Sequence, residues 1–235
     1  MSEAILYQFK IGRLDSRSEK LRDLRASVVN NGGPSGRKRG VLKTLDENLR
    51  DAEIAHGHLC AGQVLGVRLA MRGLELLGID DPHGKDRKRL ITFVEIDRCA
   101  TDAVGVVTGC RLGKRALKFR DWGKVAATFV DLQSGRAVRV CARESSKTLA
   151  REMHPEIESK NQQQMLAYRE MSNDELFTEQ WVRVTLPPEE LPGYKGERII
   201  CAECGEGINF QREVRRDGRV LCRACAGERY YEEIR

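Results

Sequence analysis

The sequence predicts an α+β protein with a mainly antiparallel sheet, packed helices and a small C-terminal zinc-binding domain. Three observations carry this reading. The strand-like runs do not alternate regularly with long helices, which disfavours a doubly wound parallel sheet. Residues 124–131 and 137–141 are rich in β-branched side chains and flank Gln133-Ser-Gly-Arg136, a β-hairpin pattern. Near the C-terminal end, Cys201-Ala-Glu-Cys204 and Cys222-Arg-Ala-Cys225 stand seventeen residues apart, and two such pairs supply four thiolates for one tetrahedral ion. Zinc is the expected ion at Cys201, Cys204, Cys222 and Cys225. A knuckle at Gly205 and Gly207, a hairpin turning at Asp217-Gly218 and a helix starting near Cys222 bring the pairs together.

In order along the chain, residues 1–41 form a basic N-terminal segment. Residues 32–40, Gly-Gly-Pro-Ser-Gly-Arg-Lys-Arg-Gly, read as a mobile loop or solvated linker in which Arg37, Lys38 and Arg39 can meet an anionic ligand. Residues 42–56 have helix-forming composition, and a second helix over 59–77 stops at Gly78. On that helix Gly62, Gly66 and Ala70 recur at i, i+4, with Gly73 next. Interior glycines cost about 1 kcal/mol each relative to alanine, so the smooth stripe signals close approach of another element or of a ligand. After a charged turn over 80–89, residues 90–96 read as a buried strand. Residues 100–107 read as a short helix ending at Gly109, with strand as the alternative. Helical composition returns over 145–150 and 154–171, and residues 181–186 look like a last strand. The expected division is a core over 42–186, a turn-rich linker over 187–198 and the finger over 199–235.

At 235 residues, 40% hydrophobic and 32% charged, the chain can bury one sizeable core beside the zinc module. No run approaches the ~18 apolar residues of a membrane span, and residues 1–10 lack the basic start and apolar run of a signal peptide. We therefore expect a cytoplasmic protein without a membrane partner. In a reduced compartment, eight cysteines read as metal or thiol chemistry rather than disulfides. The net charge of +6 is localised: residues 1–45 hold ten Lys/Arg against four Asp/Glu, while residues 201–235 hold seven of each. A finger that gripped phosphate backbone would concentrate cations on itself, so the balance argues against nucleic acid as a partner.

The motif His56-Gly-His58-Leu-Cys60-Ala-Gly62 stands at the mouth of the glycine-striped helix. If that helix begins early enough, His56 and Cys60 share a face at i, i+4. Imidazole and thiolate together suit zinc, nickel or iron, and a helix N-terminus favours a thiolate. A metal site and a reactive thiol are both open on this motif. Cys99-Ala-Thr-Asp102 and Thr108-Gly-Cys110 bring further thiols, a carboxylate and a hydroxyl near one short element. Candidate ligands of a second transition-metal ion are His56, His58, Cys60 and Cys99; candidate catalytic groups are Cys60, Cys99 and Asp102, the last able to orient a histidine, move a proton or cap a helix. Thr108, Cys110, Arg111 and Lys124 are candidate substrate contacts, although Cys110, like Cys141, also reads as a small buried hydrophobe. His83 and His154 read as surface histidines.

Together with Leu112-Gly-Lys114 and Gly123-Lys124, these motifs resemble the formylmethanofuran dehydrogenase E-subunit family over roughly residues 45–185. The four-cysteine module resembles the treble-clef, TraR/DksA-like finger that some members carry. The resemblance implies an α+β core, a homodimer, and a metal or substrate site around His56, His58 and Cys60, with Cys99, Asp102, Thr108 and Cys110 as the second motif. It also implies a connection to a molybdenum or tungsten oxidoreductase, as partner or through its maturation. This chain departs from the family pattern at Gly105, where a polar residue is common, and at Arg111, where threonine is common. A guanidinium there favours a carboxylate or phosphate ligand. The leading functional expectation is thus a metal-binding protein of molybdenum or tungsten oxidoreductase metabolism. A metal-dependent enzyme acting on a small one-carbon or carbonyl substrate, and a regulatory or interaction module using the finger, are the alternatives.

Overall fold

In the computed structural model, helix α1 (Leu45–His56) starts from a reciprocal cap: Glu47 N donates to Thr44 Oγ1 at 3.3 Å and Thr44 N donates to Glu47 Oε2 at 2.7 Å. It stops at Gly57, whose φ of 93° is the left-handed conformation that glycine adopts most readily. The structure describes residues 42–234, so the basic segment over 1–41, with Arg37, Lys38 and Arg39, lies outside the described residues. Helix α2 (Ala61–Leu77) follows directly, with Cys60 as its N-cap and Gly78 as its C-cap. The core continues through β1 (Leu90–Val94), α3 (Cys99–Thr108), β2 (Leu117–Phe119), β3 (Ala126–Asp131), β4 (Ala137–Ala142), α4 (Ser145–Met153), α5 (Lys160–Glu170), α6 (Asn173–Leu176) and β5 (Phe177–Val182).

The five strands form one sheet in the order β2-β1-β3-β4-β5. Only the β1–β2 pair is parallel, which agrees with the mainly antiparallel expectation. Register places Leu90 opposite Asp131, Val130 opposite Ala137 and Val138 opposite Trp181. Alternation sorts the faces. Leu90, Val94, Ala127, Phe129, Val138 and Val140 point to the helical layer, while Ile91, Val130 and Ala137 pack on the other face with Phe93, Val182, Val184, Leu186 and Leu191. The last strand therefore begins at Phe177 and ends at Val182; Val184 and Leu186 cover the outer face without pairing. Helix α5 starts at Lys160, later than the composition suggests, behind Ser159, whose hydroxyl accepts from Gln162 N at 3.4 Å.

Helix α2 is the spine of the helical layer, and its glycine stripe is a packing surface. A Cβ at Gly66 would stand 2.5 Å from Ala100 O and 2.7 Å from Ala100 Cα on α3. One at Gly73 would stand 2.2 Å from the ring of Phe129 on β3. The close approach is thus to protein, at both its helix and its sheet neighbours. A buried ion pair pins the start of β1 to the end of β3: Arg89 Nη2 donates to Asp131 Oδ2 at 2.8 Å, with Asp131 only 1% exposed.

The finger is small and built from four short strands, β6 (Ile199–Ile200), β7 (Gly207–Ile208), β8 (Val214–Arg216) and β9 (Arg219–Leu221), followed by a helical turn over Ala224–Glu228. The β8–β9 turn has Asp217 and Gly218 both at positive φ, as a two-residue hairpin requires. Its private apolar cluster is Cys201, Ile208 and Leu221, too little to fold without a cross-link. The finger meets the core where the Arg115 guanidinium lies 3.8 Å from the Phe210 ring centroid.

Gly66→Val forces the α3 backbone away, so we expect a loss of about 1–3 kcal/mol, read as a fall in Tm of about 2–4 °C per kcal/mol; an unchanged Tm would show that α3 is not pressed against the stripe. Burial alone would raise the Asp131 carboxyl, but hydrogen bonds from Arg89, Ser134 and the Gln133 amide prevail and bring it from 3.8 down to about 2. A depressed carboxyl contributes stability that is present above its unfolded pKa and is lost as pH falls through the folded one. Asp131→Asn should therefore remove roughly 2–3 kcal/mol at pH 7 and flatten the acid limb of a pH–stability curve between pH 4 and 2.

Candidate metal centre

Because Gly57 and the Cys60 N-cap turn the chain sharply between α1 and α2, the two halves of the histidine–cysteine motif do not share a helix face. His56 is the last residue of α1 and Cys60 stands before α2, which corrects the i, i+4 expectation. They converge across the corner instead. Cys99 is the first residue of α3, brought alongside because α3 packs on the glycine stripe; a Cβ at Gly62 would lie 3.1 Å from Cys99 Cβ and 3.7 Å from Cys60 Sγ. One ligand atom each from His56, Cys60 and Cys99 lies within 4.8 Å of the others, and all three side chains are partly exposed.

Asp102, in the first turn of α3, fixes the imidazole: His56 Nδ1 lies 2.9 Å from Asp102 Oδ2. A proton donated from Nδ1 leaves the Nε2 lone pair for a metal, the usual carboxylate–histidine arrangement around a ligand. The donor set of one imidazole and two thiols suits zinc or a neighbouring transition metal and leaves a coordination position open. The electrostatics agree. Burial and the adjacent Cys60 thiol push the Cys99 thiol above its ordinary value, and a bound cation would favour its thiolate. His58 is not among the convergent three; its ring lies beside that of His56, tilted by 43° with centroids 4.8 Å apart.

Two open clefts meet at His56 and Asp102, and one of them reaches Cys99. One of about 520 Å³ is lined by His56, Arg98, Cys99, Asp102 and the apolar Leu117 and Phe119; the other, of about 500 Å³, is lined by His56, Asp102, Gly105 and Arg111. Gly105 and Arg111, the two departures from the family pattern, thus lie on the wall beside the His56–Asp102 pair. Thr108 and Cys110 turn inward. The Thr108 hydroxyl donates to Val104 O at 2.6 Å and accepts from Cys110 N at 3.2 Å, while the buried Cys110 thiol lies 3.6 Å from Leu90 O and is pushed up by burial. Both side chains are buried and hydrogen-bonded at the end of α3, and Cys110 also contributes to the lining of the second cleft. Lys124 lines neither cleft; its ammonium lies 5.9 Å from the Trp122 ring centroid.

Sequence reasoning missed Gln63. It is fully buried in the first turn of α2, its Nε2 donates to Cys99 O at 2.7 Å, and its Oε1 has no partner among the described residues. It ties α2 to the start of α3 directly beneath the thiols. A glutamine on the face of an otherwise apolar, glycine-striped helix was the available signal.

The second cluster is the finger. The Sγ atoms of Cys201, Cys204, Cys222 and Cys225 all lie within 4.8 Å of one another. Backbone amides of Cys204, Cys222 and Glu203 hold the Cys201 thiol down at about 6, while the neighbouring Cys222 thiol, burial and the Cys204 thiol push Cys225 up to about 12. Four thiols at this spacing ionise together only around a cation, as in a closed structural zinc site.

Asp102→Asn keeps the shape but weakens the hold on His56, so zinc affinity of the core should fall by about 10–100-fold while the finger keeps its ion; competition with a chromophoric chelator reads both. Cys204→Ser should unfold residues 199–234 and leave the near-UV circular dichroism of the core intact. Loss of the core signal would show that the finger is not an independent unit.

Comparison with known proteins agrees with this geometry. Residues 55–178 match the family described as "FmdE, Molybdenum formylmethanofuran dehydrogenase operon", and residues 195–231 match the prokaryotic dksA/traR C4-type zinc finger. A protein of Archaeoglobus fulgidus named "Probable S-adenosyl-L-methionine-binding protein" is 32% identical over 198 residues, 74% of this chain and 51% of that protein. The chain thus spans about half the length of that curated relative. The crystal structure of an FmdE-like protein of the tungsten formylmethanofuran dehydrogenase type, from Syntrophus aciditrophicus, superposes with a TM-score of 0.54 at 21% identity, covering 80% of this chain and 95% of that one. At that identity the likeness speaks for the fold. With Cys201, Cys204, Cys222 and Cys225 forming its C-terminal zinc-binding site, this chain belongs to the FmdE family.

Proposed function

We propose that the core binds one transition-metal ion of the zinc class through His56, Cys60 and Cys99, and that this centre serves molybdenum or tungsten oxidoreductase metabolism as an accessory or one-carbon-handling protein. The observation that carries the reading is the convergence of one nitrogen and two sulfur donors within 4.8 Å at the meeting point of two clefts. Four protein ligands would close a site, as in the finger; three leave a position open. A bound ion there supplies a Lewis acid at neutral pH. The surrounding residues do the rest: Asp102 orients His56 and can hold a proton at Oδ2, Leu117 and the partly exposed Phe119 make one wall apolar, and Arg111, exposed at the rim, offers a carboxylate or phosphate group a cation. This arrangement suits a small carbonyl or one-carbon substrate bearing an anionic group. A cytoplasmic homodimer acting beside a molybdenum or tungsten enzyme, or in its maturation, is the setting we infer from the family name.

The Archaeoglobus relative favours a second reading, S-adenosyl-L-methionine as the occupant of the cleft beside Asp102. Its carboxylate could meet Arg111, and equilibrium dialysis with the wild type and Arg111→Ala separates this from a one-carbon substrate.

The primary test is metal content per chain by elemental mass spectrometry on protein prepared without chelators. We expect close to two ions in the wild type and one in the His56→Ala/Cys60→Ser double variant. One zinc in both would confine metal to the finger and leave the core as a thiol or ligand-binding site.

A further inference from the structure

We propose that a third cleft, at the opposite end of α3 from the thiols, binds a small phosphate ester. The cleft holds about 600 Å³, within the usual range for small-molecule sites, and lies between the charged turn of residues 80–89, the C-terminal end of α3 and the linker turn at Pro192–Gly193. It shares no lining residue with the two clefts at the metal centre. Leu90 and Ala116 form a buried apolar floor, Leu132 a half-exposed wall, and Arg87, Lys88 and Lys114 a cationic rim; among the described residues no carboxylate lines it.

The excess of positive charge follows from how the turn folds. Asp81 is turned back onto the amides of Gly84 and Lys85, at 2.9 and 3.0 Å. Asp86 is buried and accepts from Asp81 N at 3.2 Å and Arg89 Nη1 at 2.9 Å. Asp131 takes the rest of the Arg89 guanidinium at 3.1 and 2.8 Å. One arginine thus takes two of the nearby acids and the backbone holds the third, Asp81; the fourth, Asp80, is exposed and lines a separate small pocket with Asp81, Pro82 and His83 rather than this cleft. Arg87, Lys88 and Lys114 have neither an ion-pair nor a side-chain hydrogen-bond partner among the described residues. The carbonyl of Val107 at the end of α3 is already met by His83 Nε2 at 3.1 Å, so these cations are not needed to satisfy it.

Arg87, Lys88 and Lys114 are exposed on the rim of one concavity, where an anion can meet all three. A phosphate dianion matches a guanidinium and two ammonium groups, and the apolar floor suits the organic body of an ester rather than free phosphate. The balanced charge of residues 46–200, twenty-four Lys/Arg against twenty-four Asp/Glu, disfavours a polyanion and points to a small molecule.

The test is isothermal titration of the full-length, zinc-loaded protein with AMP, glucose 6-phosphate, inorganic phosphate and adenosine. At least one of the two esters should bind saturably at one site, with inorganic phosphate and adenosine each ~10-fold weaker or worse. Lys114→Glu alone, and Arg87→Ser/Lys88→Ser/Lys114→Ser together, should each weaken ester binding by ~10-fold or more with Tm and metal content unchanged, whereas His56→Ala/Cys60→Ser leaves it intact. No saturable ester binding at millimolar concentration, inorganic phosphate binding as tightly as both esters, or unchanged binding in the charge variants overturns the proposal. Loss of ester binding in the metal-centre variant overturns it too, by moving the anion to Arg111.

Discussion

The contact between α2 and α3 is the constraint on which the candidate centre depends. Side chains at Gly62 and Gly66 would hold the helices apart; their absence lets the α3 backbone settle onto α2, with Ala100 O only 2.5 Å from where a Gly66 Cβ would be. This approach sets Cys99, the first residue of α3, beside Cys60, the residue before α2. Two helix N-termini thus deliver two thiols to one point, and the corner at Gly57 swings His56 in from α1. Gln63 bonds Cys99 O and holds the junction from below. Glycines that weaken a helix by about 1 kcal/mol each here permit the approach that brings Cys99 beside Cys60.

The two thiol clusters illustrate how coordination number separates structure from reactivity. In the finger, four thiols surround one point and the buried apolar cluster is small, Cys201, Ile208 and Leu221 with partly buried neighbours such as Val220 and Ala226, so cation binding and folding are coupled. In the core, two thiols and an imidazole sit on helices already held by a large hydrophobic core, so the scaffold does not need an ion to fold. The same kind of donor therefore has different consequences: a cross-link in the finger, and in the core a cluster of three donors that would leave a position open on any ion it held.

The architecture was legible where local rules are strong. The four-cysteine spacing, the hairpin around Gln133-Ser-Gly-Arg136, the capped ends of α1 and α2 at Gly57 and Gly78, and the Asp217-Gly218 turn are all short-range signals. The three-residue β2 was missed because Leu117–Phe119 is too short to show alternation and owes its pairing to β1. β5 was displaced in the reading because Thr178, Glu179 and Gln180 are polar, as an edge strand allows, while the apolar Val184 and Leu186 that look strand-like only cover the sheet. Within the candidate site, residue identities were legible but their roles were not. The sequence placed Thr108 and Cys110 in the same motif as Asp102, yet the 3.6-residue period turns Asp102 toward His56 and the end of the helix toward the core. Gln63 escaped notice because its partner is a backbone carbonyl thirty-six residues away.

The core is held to bind its own ion by two sulfurs and an imidazole, distinct from the four-sulfur finger. Zinc-edge X-ray absorption on the intact protein tests this most directly. Two ions per chain with an average first shell of about three sulfurs per zinc, the remainder nitrogen or oxygen and with imidazole scattering visible, is the result the account predicts. A first shell of four sulfurs and no imidazole would mean that the finger alone binds metal, and would contradict it.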